Sequence, residues 1–566
     1  MGWADQGQRR PGAGARMHIT TNRRQILGAG AGIAALEMLG PRLTSASPDR
    51  KTTGQVLLAG DQKTLTLGIT GSPSDLDPHT AADYRSSLAV RAAYETLIAL
   101  DGAATDKYVG VIAESWEPNA DKSVWTFHLR QGLTFHDGSA LDAEAVRSSF
   151  ERFMTIGIGN GPSFTRFVPD HSHVTASDAR TVVFSLGRPQ PLFEAALAAT
   201  YGVFVVNATA LKSHDVNGDW GHTWAQTNET GVGSGPYRVT KFDPADSLTL
   251  EKFDAYWGGW NGGQFEKVVI RAVPENATRR LLLEQGSVDV VDDLSYVDFK
   301  SLEANANLTL HTSPSTRVDY FILTVANQLA TPTARQALAF AFPYKEVIEG
   351  LYLGYAVQPR GGVAESCHGF DPNTFQYATD LAKAKSLLAE AGVATGTKFS
   401  LALEPGNVTF ISAAQLFQAN LQSIGYDLDI IQMETTAYVG LVYGDTPVAE
   451  RPNLMGWAWW PNFNDAWDHL IRQISCDAWG SKGGNGGFYC DGDVQKALDA
   501  AEHAADDATF LAAMSKVQEI ISKEDPSAIY FAQPQQTIMA RKDIAGLILN
   551  PISIATYQFY GMRRTV

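Results

Sequence analysis

The sequence predicts an α/β protein with room for two lobes, on three observations. Strand-like and helix-like segments alternate from residue 61 to the end. Residues 380–432 run helix, strand, helix, strand, the order from which a half-lobe with a parallel sheet is built. A chain of 566 residues is also long enough for two separate cores.

The elements follow in order. Residues 61–70 alternate as a strand, and 88–100 show an amphipathic helical pattern. Within 116–150, Val124, Thr126 and His128 alternate with Trp125, Phe127 and Leu129 as a strand. A turn falls at Asp137-Gly138, and Asp142, three residues before Ala145, opens a helix. Residues 182–186 form a short strand, and 267–272 form another that enters a helix over 276–285. A long strand covers 316–325. Helices over 335–341 and 345–352 are separated at Pro343. A helix over 380–391 is closed by Gly392, then come a strand (399–403), a helix (412–424) and a strand (427–432). No 20–50-residue repeat interrupts this series.

Apolar content of 44% and charged content of 19% are ordinary for a globular protein. Residues 1–46 carry six Arg and two acidic residues, leaving 39 basic against 59 acidic residues in the remainder, a net −20. Such a surface repels phosphate backbones and argues against nucleic acid as a partner. Arg23-Arg24 stand at the head of an apolar run, 26–39, with small residues at Thr44-Ser45-Ala46. This is the layout of a twin-arginine export signal over residues 1–46, with Met17 as a start. The glycines at 28, 30 and 32 follow no strand and miss the spacing of a nucleotide loop. The run is too short for a span and is broken by Glu37. No cysteine lies near its end, so a soluble periplasmic protein without a lipid anchor is expected.

Catalytic signatures of the G-x-S-x-G, H-E-x-x-H and G-x-x-x-x-G-K-[ST] types are absent. An enzyme reading rests on carboxylates alone, with Glu404 and Asp465 cast as a glycosidase pair. The histidine pairs His171/His173 and His128/His136 lack the four ligands of a metal centre, and no cysteine pair has C-x-x-C spacing. No metal and no cofactor are expected.

Several motifs carry a further message. Trp116 to Phe150 reads W-E…D…W-T-F-x-L-R-x-G-x-x-F-H-D-G. Ser72 to Pro78 reads S-P-S-D-L-D-P, Gly233 to Tyr237 reads G-S-G-P-Y, and Tyr256-Trp257 follow. Phe488-Tyr489-Cys490 with 497–501, and PSAIYF at 526–531, complete the series. In this order, over roughly 64–553, they resemble the extracytoplasmic solute-binding proteins of ABC importers, the peptide/nickel/opine-binding family. The resemblance implies a periplasmic-binding-protein-like two-lobe fold with two crossings, at the 316–325 strand and near Ile529 to Phe531. Lobe I then takes residues 47–315, with an extra subdomain over about 80–210. Lobe II takes 316–528, and 529–566 return to lobe I. It implies a monomer that is not an enzyme, capturing a small organic solute for a membrane permease with a separate ATPase. The dipeptide-binding branch carries a cysteine pair at what look like the positions of Cys476 and Cys490. In an oxidising compartment that pair closes a loop of about 15 residues, for about 3 kcal/mol in the chain-entropy model. Cys367 then stays unpaired.

The candidate site centres on Met455 to Leu470, since five of the twelve tryptophans fall between 457 and 479. Indole faces suit a stacking site. Trp457, Trp459 and Trp460 are assigned to the cleft, Trp467 and Trp479 to the core. The dipeptide branch reads M-G-W-x-x-D here, its aspartate holding the solute's ammonium; this chain has Trp460 in that place. Where that branch has a carboxylate-gripping arginine, this chain has Glu404. Each change removes charge-assisted hydrogen bonds worth about 1.5–3 kcal/mol. The remaining inventory, Glu404, Asn407, Asn462, Asn464 and Asp465, suits a hydroxyl-rich or cationic solute: opine-like, amine-bearing or saccharide. Ser72, Asp75 and Tyr84 join from the first lobe, although Asp75-Leu76-Asp77-Pro78 reads equally as a capping turn. Tyr320 on the crossing strand reads equally as contact or packing. The alternatives are an oligosaccharide importer component, a secreted glycan-binding module and a hydrolase.

Overall fold

The computed structural model describes residues 62–81, 83–159, 164–226, 231–553 and 557–565. The export signal expected over 1–46, with Met17 and Arg23-Arg24, lies outside them. Two large sheets carry the fold. The first has seven strands, in the order Leu308–Ser313, Gln536–Arg541, Val290–Asp292, Thr64–Ile69, Lys267–Ala272, Ser247–Lys252 and Tyr237–Asp243. Its central strand, Thr64–Ile69, is parallel to Lys267–Ala272 and to Val290–Asp292. Leu65, Leu67 and Ile69 are fully buried, as strict alternation followed by a both-sides-covered strand end requires.

The second sheet has six strands, in the order Ala356–Val357, Ala528–Pro534, Val318–Leu323, Leu454–Trp459, Lys398–Leu403 and Asp427–Gln432. The chain passes from the first sheet to the second across residues 314–317 and returns at Gln535. The return lies beyond Ile529 to Phe531, where the sequence put it. Those residues pair with Val318–Leu323, and Phe531 is buried with its ring 5.0 Å from Phe321. Burial in the second core keeps the strand in that sheet until Pro534.

A four-stranded antiparallel sheet, with Ala113–Pro118, Val124–Leu129, Thr181–Ser185 and Val174–Asp178 in order, forms a subdomain with the helix Ala143–Thr155. Asp142 caps that helix by accepting the Ala145 amide at 3.0 Å. The subdomain core is aromatic, with Trp125, Phe127, Phe150, Phe153, Phe184 and Phe193 all buried. Arg152 ties it to the loop after the first strand, donating to Asp77 Oδ1 at 2.9 Å and Oδ2 at 2.5 Å.

The helix expected over 88–100 instead covers Tyr84–Ala93, and Ile98–Leu100 is a strand paired with Tyr108–Gly110. Its start is set by Asp83, whose side chain accepts the Arg85 and Ser86 amides. Its end is set from far away. The 233–235 backbone packs so closely that a Cβ at Gly233 would lie 2.0 Å from the Ala93 carbonyl oxygen. Glu95 leaves the helix to accept hydrogen bonds from Tyr256, Trp257 and Ser234. The helix expected over 412–424 begins earlier, at Val408, because Asn407 caps it.

Cys476 and Cys490 are joined in a disulfide, and Cys367 is buried and free. Burial pushes the Cys367 thiol well above its ordinary range. Thiol titration of the unfolded, unreduced protein is therefore expected to count one group; three would contradict the bridge. No helix among the described residues is long and apolar enough to cross a membrane.

Candidate functional site

Strands Lys398–Leu403 and Leu454–Trp459 run parallel, with Leu401 opposite Leu454 and Ala402 opposite Met455. Their carboxyl ends therefore emerge side by side, at the sheet edge where α/β folds hold ligands. Gly456 permits this approach: a Cβ there would stand 2.4 Å from Leu403 Cδ2 and 2.9 Å from Phe410. Glu404 follows the first strand, is exposed, and accepts the Thr435 hydroxyl at 2.9 Å. Asn407 caps the next helix through the Phe410 amide at 3.1 Å. Val318–Leu323 lies antiparallel on the other side and sets Tyr320 opposite Trp457 and Val318 opposite Trp459. Trp457 is half-buried, its ring 6.0 Å from Tyr438 and 5.5 Å from Tyr443. The Trp459 Nε1–H is buried without an acceptor. Trp460 donates to the hydroxyl of Tyr201, which belongs to the first lobe.

Residues 462–468 of the second lobe reach the first. Phe463 is buried in the subdomain's aromatic core, edge-on to Phe167 at 5.4 Å. The Thr200 amide donates to the Asn462 carbonyl at 3.3 Å, and Asn464 Nδ2 donates to the Thr105 carbonyl at 3.0 Å. The Asn464 Oδ1 accepts the His368 amide at 2.8 Å. Asp465 caps the helix Ala466–Ile474, its Oδ1 accepting the Trp467 and Asp468 amides. Its Oδ2 is buried without a donor. Burial raises the Asp465 carboxyl above its usual range and pushes Asp468 up to about 6. His469 is buried and held neutral, its imidazole pushed down to about 3.

The first-lobe candidates are committed to partners within their own lobe. Ser72 Oγ donates to the Pro244 carbonyl at 2.6 Å, and Tyr84 shares a 2.8 Å hydrogen bond with Thr70. Asp75 accepts the Asp77 amide at 2.8 Å and the Thr80 hydroxyl at 2.5 Å, which is the geometry of a capping turn. Tyr320 is buried against Tyr530, with rings 5.5 Å apart. The structure thus brings Glu404, Asn407, Trp457, Trp459 and Trp460 to one edge. It uses Asn462, Asn464 and Asp465 in joining the lobes and capping a helix. Of the two tryptophans assigned to the core, Trp467 packs against the second lobe's core, as Trp457 and Trp459 also do, and Trp479 does not. Trp467 is half-buried under Arg166, whose guanidinium stacks 3.7 Å from the ring centroid, and Trp479 is 38% exposed beside Phe488.

Sequence reasoning missed Tyr201 and Arg166, which meet partners some 260–300 positions away and leave no local pattern. It also missed Asp292, at the carboxyl end of Val290–Asp292 in the first sheet. Both Asp292 oxygens are buried without donors, and burial and the neighbouring Asp293 charge push the carboxyl up to about 7. A strand ending in two aspartates was the available signal.

The family model described as bacterial extracellular solute-binding proteins, family 5 Middle, matches residues 107–481. The probable D,D-dipeptide-binding periplasmic protein DdpA of Escherichia coli is 28% identical over 496 residues, covering 86% of this chain and 92% of that protein. The glutathione-binding protein GsiB of Pectobacterium atrosepticum is 25% identical over 511 residues, covering 88% and 93%. Among solved structures, the ABC transporter-associated periplasmic binding protein DppA from Helicobacter pylori, in complex with the peptide STSA, superposes with a TM-score of 0.75. It is 24% identical, over 89% of this chain and 98% of that one.

Proposed function

The chain belongs to the bacterial extracellular solute-binding proteins of family 5, and we propose that it captures an amine-bearing or hydroxyl-rich organic solute for an ABC importer without chemically altering it. Peptide-like and opine-like solutes fall within this class. The same reading takes residues 1–46 as a twin-arginine export signal to the periplasm. Residues 47–315 with the C-terminal return form lobe I, residues from 316 to the return form lobe II, and a single chain acts alone. Solute favours the closed form because only that form touches it from both lobes. A permease with a separate ATPase then receives it.

The observation that carries the solute class is the charge at the second sheet's edge. Glu404 stands there exposed, beside Trp457, Trp459 and Trp460, and residues 404–407 and 457–460 include no cationic side chain. The relatives above are named for a D,D-dipeptide and for glutathione, which are zwitterions. A zwitterion placed with its ammonium near Glu404 must find its carboxylate partner elsewhere. The indole faces supply stacking for the solute body. A saccharide is the second reading, favoured by the same aromatic edge. Asp465, buried and with one oxygen on a helix cap, is poorly disposed to act with Glu404 as a hydrolytic pair.

The test is a thermal-shift screen of the purified protein against polyamines, opines, dipeptides, tripeptides and oligosaccharides. A true solute at 100 times its Kd stabilises by about 2.7 kcal/mol, enough to move the melting curve by degrees. Trp460→Ala is expected to raise the Kd of the responding solute at least tenfold with the fold intact. An unchanged Kd removes Trp460 from the site, and a response to free-ended dipeptides alone overturns the argument from charge, since the solute carboxylate then finds a cation that residues 404–407 and 457–460 do not supply.

A further inference from the structure

Two buried groups of opposite charge, on opposite lobes, each lack a partner. Arg166 belongs to the first-lobe subdomain and reaches across to stack on Trp467 of the second lobe at 3.7 Å. Its Nε and Nη1 are buried with no acceptor. Asp465 of the second lobe spends Oδ1 on its helix cap, and its Oδ2 is buried with no donor. The two already feel each other, since the Arg166 charge opposes the effect of burial on the Asp465 carboxyl. They make no ion pair within 4 Å, and Arg166 and Trp467 line an open groove of about 570 Å³ with Thr165, Pro169, Arg188 and Glu502 where the subdomain meets the second lobe. The other charges around them are accounted for. Arg188 donates to the Glu502 and Arg166 carbonyls, and Asp468 accepts the Asn462 amide. His368 binds Asp507, and Arg472 has a partner of its own.

We propose that closure of the lobes, with or without solute, brings Arg166 and Asp465 together as hydrogen-bond partners, making a latch that sets the lifetime of the closed form whatever the solute. The proposal rests on the solute-capture reading given above. Arg166 is a positioning residue and does not touch solute. Leaving both charges buried and unpaired is costly, and one increment of closing satisfies both. The planar guanidinium is suited to this because it stacks on Trp467 and donates in its plane at the same time.

The experiment needs no identified solute. Spin labels at Val216→Cys and Val408→Cys, exposed positions on the two lobes, report the interlobe distance by double electron–electron resonance. The unsubstituted latch is expected to show a closed component. Arg166→Ala should reduce that component at least fivefold, and Arg166→Lys should restore part of it. Asp465→Asn, which keeps a good helix cap while removing the charge, should reproduce the loss. Distances unchanged in both Arg166→Ala and Asp465→Asn overturn the latch, as does the absence of any closed component. A failed solute screen would count against the function proposed above and leave these distances to decide the latch.

Discussion

Replacing Arg152 by Met is expected to cost about 3–5 kcal/mol of folding stability at neutral pH, the range for a buried ion pair broken on one side. Arg152 and Asp77 are both fully buried. Around them His79 Nδ1 accepts from Arg152 at 2.9 Å and His222 donates to Asp77 at 3.0 Å. Burial would raise the Asp77 carboxyl, but the His222 and Arg152 hydrogen bonds and the Arg152 charge outweigh it and hold Asp77 well below the usual carboxylate range. A carboxyl depressed in the folded state stabilises above its unfolded value and loses that contribution as pH falls through its folded one. The penalty of Arg152→Met should therefore be greatest near pH 7 and shrink below pH 4. Adding Asp77→Asn should recover at least half of it. Urea unfolding measures both; a loss under about 1 kcal/mol would show that the pair does not compensate its own burial.

Asp292→Asn should act in the opposite direction, stabilising the fold by on the order of 2–4 kcal/mol at pH 8. The nearest cations are committed elsewhere. Arg85 Nε and Nη2 both donate to Thr70, and Arg279 gives its terminal nitrogens to the carbonyls of Val273, Pro274 and Asp293. A carboxyl raised to about 7 by burial carries no penalty below its unfolded value near 4; between the two values the folded state must hold a proton that the unfolded chain has released, and the penalty grows until pH has climbed through 7. The gain from Asn is thus complete at pH 8, declines below pH 7 and vanishes near pH 4. Melting temperatures that coincide at pH 8 would mean that a cation reaches Asp292 in solution.

The sequence was a reliable guide wherever the determinant was local. Alternation placed the strands Val124–Leu129 and Lys267–Ala272, and Asp142 and Asp380 marked helix starts through their own side chains. It failed where the determinant was remote. Nothing between 88 and 100 announces that Gly233 will press against Ala93, so the helical pattern in the sequence runs past the real end of the helix. The clustered tryptophans were legible as a candidate site because composition alone singles them out. The polar residues beside them were not separable by type. Asn464 and Asp465 look like solute ligands in one dimension, and only the arrival of Thr105 and Arg166 from the first lobe shows what they face. Phe463 is the clearest instance, an apolar residue of one lobe whose neighbours belong to the other.

The double passage of the chain between the sheets, at 314–317 and at Gln535, has a mechanical consequence. A single tether would let the halves twist and splay; two adjacent tethers suppress both and leave swing about one line. The search for the closed form is then one-dimensional. The halves of the cleft meet at an effective concentration on the order of millimolar without any solute to hold them. Little ordering entropy remains to be lost when they do meet, so more of the contact energy appears as affinity. Substitutions in those few connecting residues should accordingly retune capture for every solute alike, by changing the stiffness of the swing and leaving the cleft walls untouched.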